Sequence, residues 1–242
     1  MNFKVLGEVS MWKGHQVIPL GGPRIRALLA VLLLEADRVV SVDRIIRLFW
    51  EDDVPVTARN AVQGLVAALR RTLRAAPEVH LVTRGPGYLL QVDPDRVDVF
   101  RFRAEVERAR TLPDREAAVV LRDALALWRG APMADIPFES VRVRLGGVLE
   151  QELLAAREMR AEVELRLGRH RDLVPELTRL ADEHPVRESL HRLLILAQHR
   201  SGCTAEALET YRRLSHRLVT EYGITTGPAL RELHEGMLRS CV

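Results

Sequence analysis

The side chains with the most legible chemistry lie between Thr57 and Arg84, and that chemistry is hydrogen bonding to bases and phosphates. On a helix turning by about 100° per residue, Val62, Leu65, Val66, Leu69 and Leu73 fall in one apolar stripe. Asn60, Gln63, Gly64, Ala67, Ala68, Arg70, Arg71 and Arg74 fall on the opposite face. An arginine fork matches a guanine edge or a phosphate, and Asn or Gln matches adenine with two hydrogen bonds. Gly64, Ala67 and Ala68 offer only close approach or contact with a thymine methyl. Base readout therefore falls to Asn60 and Gln63, and phosphate contact to Arg70, Arg71 and Arg74. Arg84 follows, at the head of Arg84-Gly85-Pro86-Gly87, where glycines let a backbone approach a partner closely. An arginine on such a tip suits a narrow minor groove. A polar helix face alone is more often a solvated surface; the adjoining basic tip is what favours nucleic acid.

Other constellations carry less. No phosphate-cradling G-x-x-x-x-G-K-[ST], dinucleotide G-x-G-x-x-G, zinc H-E-x-x-H or nucleophilic G-x-S-x-G motif occurs. His184, His191 and His199 lack metal-ligand spacing, and two cysteines, Cys203 and Cys241, make neither a disulfide framework nor a zinc cage. No enzyme site, cofactor or metal is expected. Glu51, Asp52 and Asp53, after Trp50, form a short acidic run that should point away from DNA phosphates. It is either a solvated loop or a docking point for a basic partner.

Charge agrees with this placement. The net charge is +3, and all basic residues except Lys4 and Lys13 are arginine, a bias that a GC-rich genome also produces. Residues 1–92 hold twelve basic and eight acidic residues, and the rest twenty-four and twenty-five. Within 57–92, five arginines face Glu78 alone. With 47% hydrophobic and 29% charged residues the chain is globular. Its longest apolar run, Ala27 to Leu34, falls short of the roughly 20 residues that span a bilayer. Met1 to Glu8 does not read as a secretion signal. No membrane contact and a cytoplasmic, nucleoid-associated location are expected.

The positioning elements follow from periodicity and punctuation. Phe3 to Val9 and Gln16 to Leu20 read as strands around a Lys13-Gly14 turn, and Arg24 to Ala36 as a buried helix. Ser41 caps a second helix with apolar positions Val42, Ile45, Ile46 and Phe49. A loop from Trp50 to Val56 leads to Thr57, which caps the third helix to about Arg74. Val79 to Thr83 and Tyr88 to Val92 read as a terminal hairpin. That order predicts a winged helix-turn-helix with an N-terminal antiparallel sheet over residues 1–92. Asp93-Pro94-Asp95 marks a hinge at 93–97. From 98 to 242 the pattern is helical. Gly168 and Gly202, Leu180 and Leu214, and Leu177 and Tyr211 share a 34-residue offset, the tetratricopeptide period. Flanking helices are expected near 98–110, 114–128, 141–167 and 227–239, and Trp12, Trp50 and Trp128 as core anchors. The fold class is mainly α with a small β part.

Four stretches together carry a specific resemblance: "RIRALLAVLLLEADRVVSVDRIIRLFW", "PVTARNAVQGLVAALRRTL", "LVTRGPGYLLQVDPDRVDVFRFRAEVERAR" and "HRLLILAQHRSGCTAEALETYRRLSHRLVTEYGITTGPALRELHEGML". The chain resembles, over nearly its whole length, the small type of SARP-family regulator, the antibiotic regulatory proteins of filamentous actinobacteria. The resemblance implies an OmpR-like winged helix followed by a tetratricopeptide-like bacterial transcriptional activation domain. It implies activation of a secondary-metabolite gene cluster, by binding double-stranded promoter DNA with direct repeats as a dimer and recruiting RNA polymerase through its sigma subunit. Thr57 to Leu73 matches the recognition helix, Arg84 the minor-groove arginine of the wing, and Trp50 to Val56 the loop that meets polymerase. The expected DNA contacts are then Thr57, Arg59, Asn60, Gln63, Gly64, Ala67, Arg70, Arg71, Arg74, Thr83 and Arg84, and the expected polymerase contacts Trp50, Glu51, Asp52 and Asp53.

Two departures are visible. The family usually reads Q-T-Y-V-S-R-L-R-R where Gln63 to Arg71 reads Q-G-L-V-A-A-L-R-R, and D-P-S-P where this chain has Thr225-Thr226-Gly227-Pro228. Small residues at Gly64, Ala67 and Ala68 imply a different target or a lower affinity. They also motivate a second reading, a helical-repeat protein-interaction adaptor whose DNA-binding domain is weakened.

Overall fold

The computed structural model describes residues 1–240; Cys241, with the expectation attached to its thiol, and Val242 lie outside them. The chain is mainly helical with two small antiparallel sheets. It has two compact units, one of residues 1–110 and 120–154, the other of 111–119 and 155 onward. Residues 93–97, read as a hinge, lie within the first of these units. Pro94–Arg96 is a 3-10 turn whose preceding Asp93 carboxylate accepts the Asp95 N–H at 3.0 Å, and Val97 pairs directly with Phe3.

In the first unit, β1 (Asn2–Lys4), β2 (Ser10–Lys13) and β3 (Gln16–Ile18) form one sheet in that order. The sequence reads as two strands here, and the structure has three. The strand expected over Phe3–Val9 stops at Lys4 because the following backbone bonds elsewhere. The N–H groups of Val5 and Leu6 donate to the Asp98 carboxylate, and that of Val9 to Asp135 at 2.8 Å. The Leu6 and Val5 carbonyls accept from the Arg129 and Met133 N–H groups at 2.9 and 3.1 Å. Asp135 also pairs with Arg26. All these partners lie about a hundred residues downstream, beyond the reach of local pattern.

α1 (Pro23–Leu34) is buried without a break from Ala27 to Leu33, as its apolar run requires, and packs on α3 (Ala58–Leu73). β4 (Val40–Ser41) leads into α2 (Val42–Trp50). β5 (His80–Arg84) and β6 (Gly87–Gln91) form the hairpin, and β4 joins β6 to give the order β4-β6-β5. The three tryptophans are half-buried rather than core anchors, and that role falls to smaller rings such as Phe3 and Phe102.

The remaining helices are α4 (Asp98–Ala109), α5 (Asp114–Leu125), α6 (Glu139–Val141) and α7 (Gly147–Arg166), the last two joined by a π-turn over Arg142–Gly146. The second unit ends in α8 (His170–Glu183), α9 (Glu188–Arg200), α10 (Thr204–Tyr222) and α11 (Pro228–Ser240). Gly168 and Gly202 both turn the chain at left-handed φ, +81° and +86°, before α8 and α10. Equivalent glycines one period apart therefore perform the same turn. Leu177, Leu180 and Leu214 are buried, as the repeat demands, while Tyr211 stacks on His234 with ring centroids 4.0 Å apart. The unusual segment before α11 is well anchored: Thr226 is buried against the Tyr211 hydroxyl, and the Gly227 N–H donates to Glu188 at 2.7 Å.

Candidate nucleic-acid interface

α2 and α3 stand as the two helices of a helix-turn-helix. The Ser41 hydroxyl accepts the Arg44 N–H at 3.2 Å and so caps α2, satisfying a donor that the helix start leaves open. Ile45, Ile46, Leu48 and Phe49 turn inward. In α3 the buried side is Ala58, Val62, Val66, Leu69 and Leu73, with Leu65 half-buried. Asn60, Gln63, Gly64, Ala67, Arg70, Arg71 and Arg74 are exposed on the other side, and Ala68 is half-buried. Thr57 sits at the cap position of α3, but its side chain makes no capping bond. Arg59 pairs with Asp43 at 2.6 Å, an exposed bridge that contributes about 0–1 kcal/mol and leaves the guanidinium available.

Arg70 and Thr83 are already bonded to each other. Arg70 Nη2 donates to Thr83 Oγ1 at 2.9 Å and Nε to the Leu81 carbonyl at 3.1 Å, while the guanidinium lies 5.9 Å from the centre of the Tyr88 ring. This side chain is a strut between α3 and β5. Helical periodicity reveals that Arg70 faces outward but not that the hairpin folds back against it. The side chains of Arg71, Arg74 and Arg84 make no ion pair or hydrogen bond among the described residues. Gly64, Ala67, Arg70, Arg71 and Arg74 line a shallow depression of about 540 Å³, and no atom lies near the place where a Gly64 Cβ would sit. Where larger side chains would stand, a backbone-deep surface flanked by arginines is open.

The wing is held stiffly. Gly85 takes φ +51° at the first central position of the two-residue turn between Arg84 and Gly87. The Pro86 carbonyl accepts the Val42 N–H at 3.0 Å, tying the tip to the start of α2. Gly87 has no room for a side chain, since a Cβ there would lie 2.2 Å from the Val40 carbonyl oxygen. Gly87→Ala should therefore pull β6 from β4 and destabilise the protein by about 1–3 kcal/mol or more, seen as a lower urea midpoint. An unchanged midpoint would mean that β4 moves aside freely.

The acidic run follows α2. Glu51, Asp52 and Asp53 are exposed, Glu51 at φ +51°, and the Asp53 N–H donates to the Trp50 carbonyl at 2.9 Å. Residues far along the chain brace its base. Phe138 stacks on Phe49 at 5.3 Å, Ser140 donates to the Leu48 carbonyl, and Arg24 lies 5.5 Å from the Trp50 ring centre. Local sequence reading missed Phe138 and Ser140, for which only the aromatic residue in an otherwise irregular stretch offers a signal. Among the described residues no cluster of three metal-ligating side chains occurs, and no helix is long and apolar enough to cross a membrane.

Comparison with known proteins bears on this arrangement. A family described as transcriptional regulatory protein, C terminal, matches residues 16–90, and one described as bacterial transcriptional activator domain matches residues 97–238. Regulatory protein DnrI of Streptomyces peucetius is 33% identical, covering 99% of this chain and 93% of that protein. Regulatory protein AfsR of Streptomyces griseus is 34% identical, and transcriptional regulatory protein EmbR of Mycobacterium tuberculosis 36%, each over 99% of this chain. The chain spans only 25% of that AfsR and 63% of EmbR. The solved structure of Mycobacterium tuberculosis EmbR in complex with a low-affinity phosphopeptide matches with a TM-score of 0.90 at 35% identity, over 99% of this chain and 65% of that one.

Proposed function

Because the chain belongs to the SARP family of transcriptional regulators, we propose that it activates a secondary-metabolite gene cluster by binding direct repeats in promoter DNA, as a dimer, and recruiting RNA polymerase. In this reading the winged helix within residues 1–92 holds DNA and the helical part from 98 onward serves activation. α3 enters the major groove, with Asn60 and Gln63 at base edges and Arg71 and Arg74 on phosphates. The wing sets Arg84 in the neighbouring minor groove. Thr57, Arg59, Gly64 and Ala67 complete the contact surface, and Arg70 with Thr83 fixes the angle between helix and wing. The observation that carries the reading is the presence of three arginine side chains without a partner among the described residues, Arg71, Arg74 and Arg84, on the exposed side of α3 and its wing.

Fluorescence anisotropy with promoter DNA at rising salt tests it. Affinity should fall steeply, by about 0.9 in log–log slope for each phosphate neutralised. Binding that ignores salt, or that is absent at low salt, overturns the reading. Arg71→Ala should lower affinity evenly across sequences and flatten that slope by about one unit, whereas substitution of Gln63 should change which operator is preferred. Were Arg71→Ala to change base preference instead, the two roles would be exchanged.

The loop of Trp50, Glu51, Asp52 and Asp53 is read as the contact for a basic patch on the sigma subunit. Each exposed pair contributes only about 0–1 kcal/mol, yet both proteins are already held on adjacent DNA at high effective concentration. Changing the three acids to alanine together should leave operator binding intact and reduce transcription in a purified system. Full transcription by that variant would remove the docking role. The small residues at Gly64, Ala67 and Ala68 favour a second reading, an adaptor with weakened DNA binding; equal affinity for promoter and random DNA would support it.

A further inference from the structure

Among the described residues a single carboxylate is bonded to a side chain of α3, and it belongs to α2. Asp43 Oδ1 accepts from Arg59 Nη2 at 2.6 Å. Both residues lie in the first turn of their helices, since α2 begins at Val42 and α3 at Ala58. The Val42 N–H is bonded to the wing-tip carbonyl of Pro86, so Asp43 is carried on a fixed helix start. Both side chains are exposed, and the pair faces solvent rather than the core. The guanidinium has five N–H donors, and this bond uses one of them.

An arginine without a partner bonds a phosphate as readily as a base. The carboxylate changes that preference. It repels a phosphate oxygen that approaches the same fork, and the pair as a whole brings no net charge to neutralise the phosphate. Guanine O6 and N7 are uncharged acceptors, so the carboxylate opposes a base contact far less, and it holds the fork in one orientation. In a helix-turn-helix the start of the second helix reaches base edges while the first helix crosses the backbone. That docking sets Arg59 over bases and Asp43 beside phosphates. The side chains of Arg71 and Arg74, further along α3, have no such partner, as suits phosphate contacts.

We propose that Asp43 and Arg59 act as one specificity device: Arg59 reads a guanine, and Asp43 is the positioning residue that orients it and keeps it off phosphates. The inference rests on α3 being the recognition helix. It deepens that reading by naming guanine as a base of the operator and the bonded pair as the element that rejects other DNA.

The test uses the full chain and anisotropy on a promoter fragment and a scrambled duplex of the same composition. Asp43→Asn keeps the side-chain shape and removes the charge. It should raise affinity for the scrambled duplex about fivefold, the most that one exposed pair commonly supplies. Affinity for the promoter should rise less, so the ratio between the two falls. The salt slope on scrambled DNA should steepen by about one unit, because the freed Arg59 neutralises a phosphate. Arg59→Gln should lower the ratio by itself and abolish the effect of Asp43→Asn when the two are combined. Replacing promoter guanines one at a time by 7-deazaguanine, which lacks the N7 acceptor, should reveal one position that weakens the wild type and not Arg59→Gln. Both side chains are exposed, so circular dichroism should show an intact fold. An equal gain on both duplexes, a gain that persists with Arg59→Gln, or no guanine that depends on Arg59 would overturn the proposal while leaving the promoter reading in place. Wild-type protein that binds no promoter DNA at low salt would remove that reading and this proposal with it.

Discussion

Replacing Arg84 with alanine should lower affinity for every promoter fragment by about tenfold or more, and most where an A-tract narrows the minor groove beside the repeat. The size follows from the setting. The guanidinium has no partner within the described protein to give up on binding, and the tip behind it is fixed by the Pro86–Val42 bond and by the tight approach of Gly87 to Val40. Little conformational freedom of the backbone remains to be lost, so most of a charge-assisted contact of about 1.5–3 kcal/mol can appear as affinity. Anisotropy on two fragments that differ only in the flanking tract would read both parts of the expectation. Equal losses on the two fragments would place Arg84 on a phosphate instead, and no loss would take the wing off the DNA.

Asp98→Ala should have the largest effect on stability, about 3–5 kcal/mol. Asp98 is 4% exposed, and its carboxylate accepts the Val5 N–H at 2.9 Å and the Leu6 N–H at 3.2 Å while pairing with Arg129 at 3.1 Å. Alanine would leave two buried backbone donors without an acceptor and Arg129 without its partner, the costliest way to lose hydrogen bonds. Asp98→Asn keeps an acceptor and should lose less. Urea unfolding of the two variants would separate them, and a loss below about 1 kcal/mol for alanine would mean that water reaches Val5 and Leu6.

What was legible in the sequence were features that depend on neighbours in the chain. The burial of α1, the two faces of α3, the Ser41 cap and the turns at Gly168 and Gly202 all follow from spacing or residue type within a few positions. The outward positions of Asn60, Gln63, Arg71 and Arg74 come from the same periodicity. Features set by distant partners were not legible. The early end of β1 depends on Asp98 and Asp135. Arg70 faces outward by period, yet its hydrogen bonds belong to a strand that returns beside it. The base of the acidic run rests on Phe138 and Ser140, which nothing local connects with α2.

The hydrogen bonds between residues 5–9 and partners beyond position 97 bear on how such proteins can exchange parts. Compositional change near residue 93 invites a cut there, as if DNA specificity were a cassette to be moved between regulators by recombination. A transplanted 1–92 would arrive without Asp98, Asp135 and the Arg129–Met133 backbone, leaving three buried N–H groups facing a foreign surface. If α3 reads DNA as proposed, a new operator preference is therefore easier to gain by point change on its exposed side, at positions such as Gly64 and Ala67, than by crossover at the apparent seam.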